Sequence, residues 1–409
     1  MSLTVLMNAG PWLPVPPNGY GGIENVVATL TTALRGMGVR VVLATVGDST
    51  LPADERITHF PHGQFEHLLE PYNRVSGLAH AHQQRVLTEL RRRDDVDLVH
   101  DHVEVVGPST LAGTDIPALH TLHWDPRRHA DFYTALDGGP HLRVNGVSRA
   151  QLASAPARLR ARSVGHVHLA TPLADGAAGR PVPHKEDHVV VLGRITPCKG
   201  QHVAIRVAAQ AGAPLVLAGP VGPYRNRAEL DTALRANADA GTHPDVRYFL
   251  DEISAHVDGR RVTWPGSLCD AERALLLGTA RAALFPIEWD EPGGTAMIES
   301  LALACPVIGY RRGCLPELVD HGRTGLLADP GDEDRLAAHL LAAGAIDPTA
   351  CAREAARRFT PRVMARRYLQ LYRQVLATAE GRAPADDVVA VTSLSGPRAS
   401  GAPAPGRGA

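Results

Sequence analysis

Two carboxylates eight residues apart, Glu291 and Glu299, bound the run EPGGTAMIE. Pro292, Gly293 and Gly294 interrupt regular structure after the first, and a helical pattern then begins at Thr295. Glu291 therefore falls on a loop and Glu299 about a turn inside a helix. Such a pair can hold opposite ends of one polyhydroxylated ligand, because carboxylates accept hydrogen bonds from hydroxyls. The helix start between them suits a phosphate, which argues against the paired-acid chemistry of glycoside hydrolysis. Two solvated acids at a helix start are the plainer alternative. A second cluster, LGRITPCKG, carries Arg194 and Lys199 where a strand gives way to a helix. There the arginine, with paired N–H groups, and the lysine, as a point charge, can reach one diphosphate. The third, PPNGYGGIE, brings Gly21 and Gly22 to the start of a helix, where the backbone can approach an anion closely, although an ordinary glycine turn reads the same way. His100 and His102 flank Asp101, and His120 and His123 lie three apart. Neither spacing is that of a standard metal site on a helix, and no metal is expected.

The elements that must hold these groups follow from the apolar runs. Residues 3–7, a helical stretch over 23–37 and residues 39–45 read as β, α, β. Further strands are expected at 97–100, 118–123 and 143–147. Residues 171–187, rich in Pro, Gly and Ala, read as a linker, after which the rhythm restarts. Strands are expected at 189–192, 215–218, 282–285 and 306–309, with a helix over 201–211 and a largely helical stretch over 332–379. This alternation predicts an α/β chain of two doubly wound domains, whose ligands bind beyond the carboxyl ends of the strands. Residues 381–409 read as a disordered tail.

Composition sets limits. A chain of 409 residues is long for one core and suits two. A formal net charge of -1 offers no global field for nucleic acid. No run approaches the length of a membrane span, and residues 3–7 are too short and uncharged to form a signal peptide. The five cysteines are scattered and lack CxxC spacing, which points to reduced thiols and the cytoplasm.

The three clusters together resemble family 4 of the retaining glycosyltransferases, which have the GT-B fold, and bacterial natural-product or small-metabolite members in particular. The resemblance runs over about residues 3–379. It is carried by Glu291 to Glu299 and the following LALACPVIGYRRGCLPELVDHGRTGLL, and by PPNGYGGIENVV, LGRITPCKG and HTLH. It implies two Rossmann-like domains across a cleft. Residues 1–180 would form the acceptor domain, completed by a helix over 361–379 that crosses back to it, and residues 181–360 the donor-nucleotide domain. Arg194 and Lys199 would hold the donor diphosphate and neutralise its growing charge. Glu299 would bind the ribose, Glu291 and His123 would lie at the transferred sugar, and Gly293, Gly294 and Thr295 would offer backbone N–H groups. Gly21 and Gly22 would approach the phosphates from the other domain. The donor would be a nucleotide diphosphate sugar, GDP- or UDP-linked, used without metal or cofactor and with same-face attack by the acceptor. Many family members have a bulky residue at Gly293, an acid at Cys198 and Cys-Gly at Leu303-Ala304. A glycine at 293 would leave room for a larger or modified sugar.

The acceptor side is the least defined. Residues 60–82 and 125–140 look particular to this chain, and their His, Arg, Tyr and Phe suit a small polar acceptor, attacked through oxygen or sulfur, better than a lipid. Monomer and homodimer are both open. A GT-B epimerase, a phosphorylase or a non-catalytic nucleotide-sugar binder shares the same fold-level features. A mere binder should lack one of the two cations or two acids, and all four are present.

Overall fold

The first apolar run forms β1 (Thr4–Asn8), buried along its whole length, as befits a central strand covered on both faces. A computed structural model describes residues 3–19 and 21–381. In it β1 is joined by β2 (Arg40–Thr45), β3 (Glu55–Thr58), β4 (Leu98–Asp101), β5 (Ala118–Thr121), β6 (Leu142–Gly146) and β7 (Ser163–His166). These pair in the order β3-β2-β1-β4-β5-β6-β7, every pair parallel. A second parallel sheet contains β8 (Val189–Leu192), β9 (Leu215–Ala218), β10 (Val262–Gly266), β11 (Ala282–Phe285), β12 (Val307–Tyr310) and β13 (Gly325–Ala328), in the order β10-β9-β8-β11-β12-β13. Strand order reverses between β1 and β4 and again between β8 and β11. Those two crevices are where a doubly wound fold receives ligands.

Helices cover both faces of each sheet, and one of them reaches back across the chain. Thr360 caps the helix Pro361–Ala379, its Oγ1 accepting from Val363 N–H at 3.2 Å, with proline in the first turn. Met364, Tyr368, Tyr372 and Val375 are buried against the helix Gly22–Arg35 and the first sheet. The Tyr372 hydroxyl lies 2.7 Å from His100 Nδ1 on β4. Residues 171–187 are no free tether. They contain two short 3-10 turns, Pro172–Ala174 and Ala177–Gly179, with Ala174 and Ala177 buried near the helix Pro348–Arg358. The expected disordered tail lies, from residue 382 on, outside the described residues. Among the described residues no helix is long and apolar enough to cross a membrane.

Candidate active site at the interdomain cleft

The cluster that follows β8 and β11 is assembled by loops that only glycine lets approach. Gly200 has φ 71°, and a Cβ on it would lie 2.1 Å from the Pro286 carbonyl oxygen. The turn after β8 therefore lies directly on the loop after β11, and Glu288 N–H donates to the Cys198 carbonyl at 3.0 Å. That contact brings Lys199 to Glu291, with Nζ donating to Oε2 at 2.5 Å. Trp289 Nε1 donates to the same oxygen at 2.8 Å. From the other side Gly313, φ 54°, packs on the Glu291 backbone, and Cys314 N–H donates to the Glu291 carbonyl at 2.9 Å. Burial alone would lower the Lys199 pKa, yet the charge and hydrogen bond of Glu291 leave it raised, so the cation is secure.

Arg194 leaves the same turn, its Nη1 3.6 Å from Oδ2 of the buried Asp245. Gly294 (φ 65°) caps the helix Thr295–Ala302. Glu299 lies inside that helix, and burial raises its carboxyl pKa, with Arg273 Nε at 3.5 Å as the opposing charge. Arg194, Lys199, Glu291, Gly293, Gly294, Thr295 and Glu299 thus surround the carboxyl ends of β8 and β11. In the first half of the chain, Gly21 precedes the helix Gly22–Arg35, and a Cβ on it would lie 2.6 Å from Pro17, whereas one on Gly22 would meet nothing within 4 Å. Glu24, in the first turn, is buried, which pushes its carboxyl up to about 7.

Gly293 faces the opposite domain. A Cβ there would lie 2.6 Å from Leu169 Cδ1 and 3.3 Å from Val147 Cγ2, so the space expected to admit a larger sugar is filled by side chains of the first half of the chain. Val26, Val147 and Leu169 belong to the same buried cluster as Phe285 and Met297, which makes the cleft floor one continuous apolar contact. Polar clasps flank it. Arg127 Nη2 donates to Asp290 Oδ2 at 2.7 Å, and Arg312 Nε donates to the other oxygen at 3.1 Å. Glu317 accepts from the N–H groups of Arg149 (3.0 Å) and Ala150 (2.7 Å) and pairs with His168 Nε2 at 3.0 Å. Burial opposes its ionisation, but these bonds hold the carboxyl down to about 2. His166, His168 and Glu317 bring ligand atoms within 4.8 Å of one another, a group the sequence did not single out.

The histidines divide into distinct environments. His123 lies two residues past β5, half-buried, with Nε2 2.8 Å from His102 Nδ1, and burial pushes its pKa down to about 3. His120 is fully buried on β5, its Nδ1 2.6 Å from Asp101 Oδ2. The two therefore do not act as a pair. Asp290, Arg127, Asp245 and Glu317 were missed from sequence, since each acquires its position from a residue far along the chain.

Two parallel Rossmann-like sheets facing across a cleft, with two cations and two acids at the switch point of the second, define the class as a GT-B glycosyltransferase. Residues 178–350 match the family described as glycosyl transferases group 1, and residues 20–155 match glycosyltransferase family 4. A D-inositol 3-phosphate glycosyltransferase of Pseudarthrobacter chlorophenolicus is 24% identical over 353 residues, covering 76% of this chain and 78% of the relative. Among solved structures, AviGT4, a glycosyltransferase involved in avilamycin A biosynthesis, is 26% identical with a TM-score of 0.59, over 92% of this chain and 98% of its own. HepE of Anabaena, solved with UDP-glucose, shares the fold with a TM-score of 0.59 at 16% identity, over 91% of this chain and 100% of its own. The chain belongs to family 4 of the GT-B glycosyltransferases.

Proposed function

We propose that this glycosyltransferase is a retaining enzyme that moves a sugar from a GDP- or UDP-linked donor to a small polar acceptor, without a metal ion. Residues 1–180, with the helix 361–379, serve as the acceptor domain and residues 181–360 as the donor domain, in the cytoplasm. The observation that carries the reading is the Lys199–Glu291 contact at the β8/β11 switch point. It keeps a cation and a carboxylate mutually neutralised until a ligand arrives that can satisfy both. A sugar diphosphate does so, its phosphate taking Lys199 and its hydroxyls Glu291. Arg194 adds a second positive charge, and together the two cations stabilise the diphosphate as the glycosidic bond breaks. Glu299 accepts from the ribose hydroxyls, the N–H groups of Gly293, Gly294 and Thr295 meet the sugar and phosphate, and Gly21 and Gly22 close on the phosphates. His123, kept neutral, offers a hydrogen bond beside the sugar. The acceptor attacks on the face the nucleotide leaves, and the departing phosphate takes its proton.

The test is thermal stabilisation by GDP, UDP, ADP, dTDP and inorganic phosphate. One nucleoside diphosphate is expected to raise the melting temperature of the wild type and not of Arg194→Ala or Glu299→Ala. Equal shifts in wild type and variants would overturn the site.

A further inference from the structure

The carboxyl end of β4 carries a strained turn that the proposed reaction leaves unexplained. Val105 has φ 62° and ψ -57°, and Val106 N–H donates to the Glu104 carbonyl at 2.7 Å. This is a γ-turn of the rarer, positive-φ kind, on a β-branched residue for which that region is least favourable. Strain of this sort persists where surrounding structure enforces it, and it clusters at ligand sites. What the turn presents is Glu104, half-buried, at the β1/β4 switch point. One of its oxygens accepts from the hydroxyl of Tyr133, a fully buried side chain on the helix Ala130–Ala135.

Behind Glu104 lies a buried polar network with unmade bonds. Asn8 Nδ2 donates to Asp101 Oδ1 (2.7 Å) and Gln83 Oε1 (2.9 Å), and Asn8 Oδ1 accepts from His82 Nε2 (2.8 Å). Asp101 Oδ2 holds His120 Nδ1. His82 Nδ1, Gln83 Nε2 and His120 Nε2 are buried without a partner. Burial alone would lower the His120 pKa, yet Asp101 leaves it raised and Glu104 adds to the same field. Three orphaned nitrogens in one network are unusual in a native interior, and the network holds Asp101 and His120, in whose field Glu104 lies. His82 and Tyr133 come from residues 60–82 and 125–140, the two stretches expected on the acceptor side.

The charge count decides what the ligand is. His82, His102 and His123 are kept neutral by burial. Asp101 and Glu104 bring two carboxyl groups to this end of the sheet, against one imidazole, that of His120, whose pKa is raised. We propose that Glu104, positioned by Tyr133 and the strained turn, binds the acceptor, and that the acceptor is a polyol bearing no anionic group, uncharged or amine-bearing. A carboxylate accepts from its hydroxyls, whereas a phosphomonoester or carboxylate group would meet like charge. This rests on the glycosyltransferase reading above and names the acceptor class for it.

The experiment is a saturation-transfer NMR screen of the full chain with its stabilising nucleoside diphosphate bound. The probes are neutral sugars, cyclitols and aminosugars together with the phosphomonoesters of the same compounds. Neutral or amine-bearing members should bind the wild type in preference to their phosphomonoesters. Glu104→Gln should weaken them about 10- to 100-fold, the range for losing a hydrogen bond to a charged group, while the nucleotide-induced thermal shift is retained. Preferential capture of phosphomonoesters, undiminished binding in Glu104→Gln, or no binding of any member would each overturn the proposal. Absence of any nucleotide shift in the wild type would instead fall on the donor-site reading.

Discussion

Adding one methyl group at position 293 should push the two halves of the molecule apart. The Cβ of Gly293→Ala would sit 2.6 Å from Leu169 Cδ1, well inside contact distance, and 3.3 Å from both Leu169 Cγ and Val147 Cγ2. Leu169 is only 7% exposed, so its side chain has little space to retreat into. Overpacking of this kind costs about 1–3 kcal/mol. Leu169→Ala by itself costs about 2–5 kcal/mol through lost burial and the cavity it leaves. In the double variant the new methyl occupies the space that Leu169 vacated, so most of the Gly293→Ala penalty should vanish. The cycle should therefore show a coupling of about 1–3 kcal/mol, far above the roughly 0.5 kcal/mol scatter of independent sites. Calorimetric unfolding of the four proteins reads it directly, at about 2–4 °C per kcal/mol for a domain of this size. Additive effects would refute the claim that Leu169 is what excludes a side chain at 293. A Gly293→Ala variant with unchanged stability would refute it as well.

Other positions give equally definite expectations. Ala304 follows the helix Thr295–Ala302 in the left-handed region, φ 57°, at a position where many family members have glycine. Left-handed alanine costs about 1–2 kcal/mol, but the methyl is buried with Ala177 and Ala352 and contributes about 0.8 kcal/mol, so once the added freedom of the unfolded chain is allowed for, Ala304→Gly should change stability by less than about 1 kcal/mol; a loss of about 2 kcal/mol or more would contradict this. Burial raises the Glu24 carboxyl to about 7 in the folded protein, above its ordinary value near 4.5, so the stability it contributes is full below about pH 4.5 and lost as pH rises through 7. Wild type and Glu24→Gln should match near pH 4, while at pH 8 the variant should be the more stable by up to about 3 kcal/mol; parallel pH profiles would show that the carboxyl is not buried as described. Arg127→Ala removes a cross-cleft ion pair that is largely exposed, 52% on the arginine side, so it should cost less than about 1 kcal/mol. A larger loss would mean that the clasp, and not the apolar floor, holds the halves together.

Much of this architecture is legible in the residues because its central strands are buried on both faces. β1, β8 and β11 are nearly unbroken apolar runs, and the loops that follow β8 and β11 lead into the cations and acids. The edge strands are not legible. In β3 only Ile57 is fully buried. β10 contains the exposed Pro265 and a register shift, and β7 contains Gly165 at φ 114° with every residue half-buried. The helix Tyr72–Leu90 escaped because its buried face includes His82 and Gln83, which break the apolar period and hydrogen-bond Asn8. Arg127 and Asp290, 163 residues apart, have no local signature at all. The glycine at 293 misled for a related reason: the missing side chain suggests space, and only the fold shows that Leu169 occupies it.

If Arg194 and Lys199 hold the donor diphosphate as proposed, the second phosphate of a nucleotide should carry much of its affinity. Calorimetric titration of the matching nucleoside diphosphate and monophosphate, against the wild type, Arg194→Ala and Lys199→Ala, measures this. A charge-assisted contact to phosphate is worth about 1.5–3 kcal/mol, so each of the two cations should add about tenfold or more to the preference for the diphosphate, and each variant should lose that factor while keeping its monophosphate affinity. A preference for the diphosphate that survives undiminished in both variants would contradict the account.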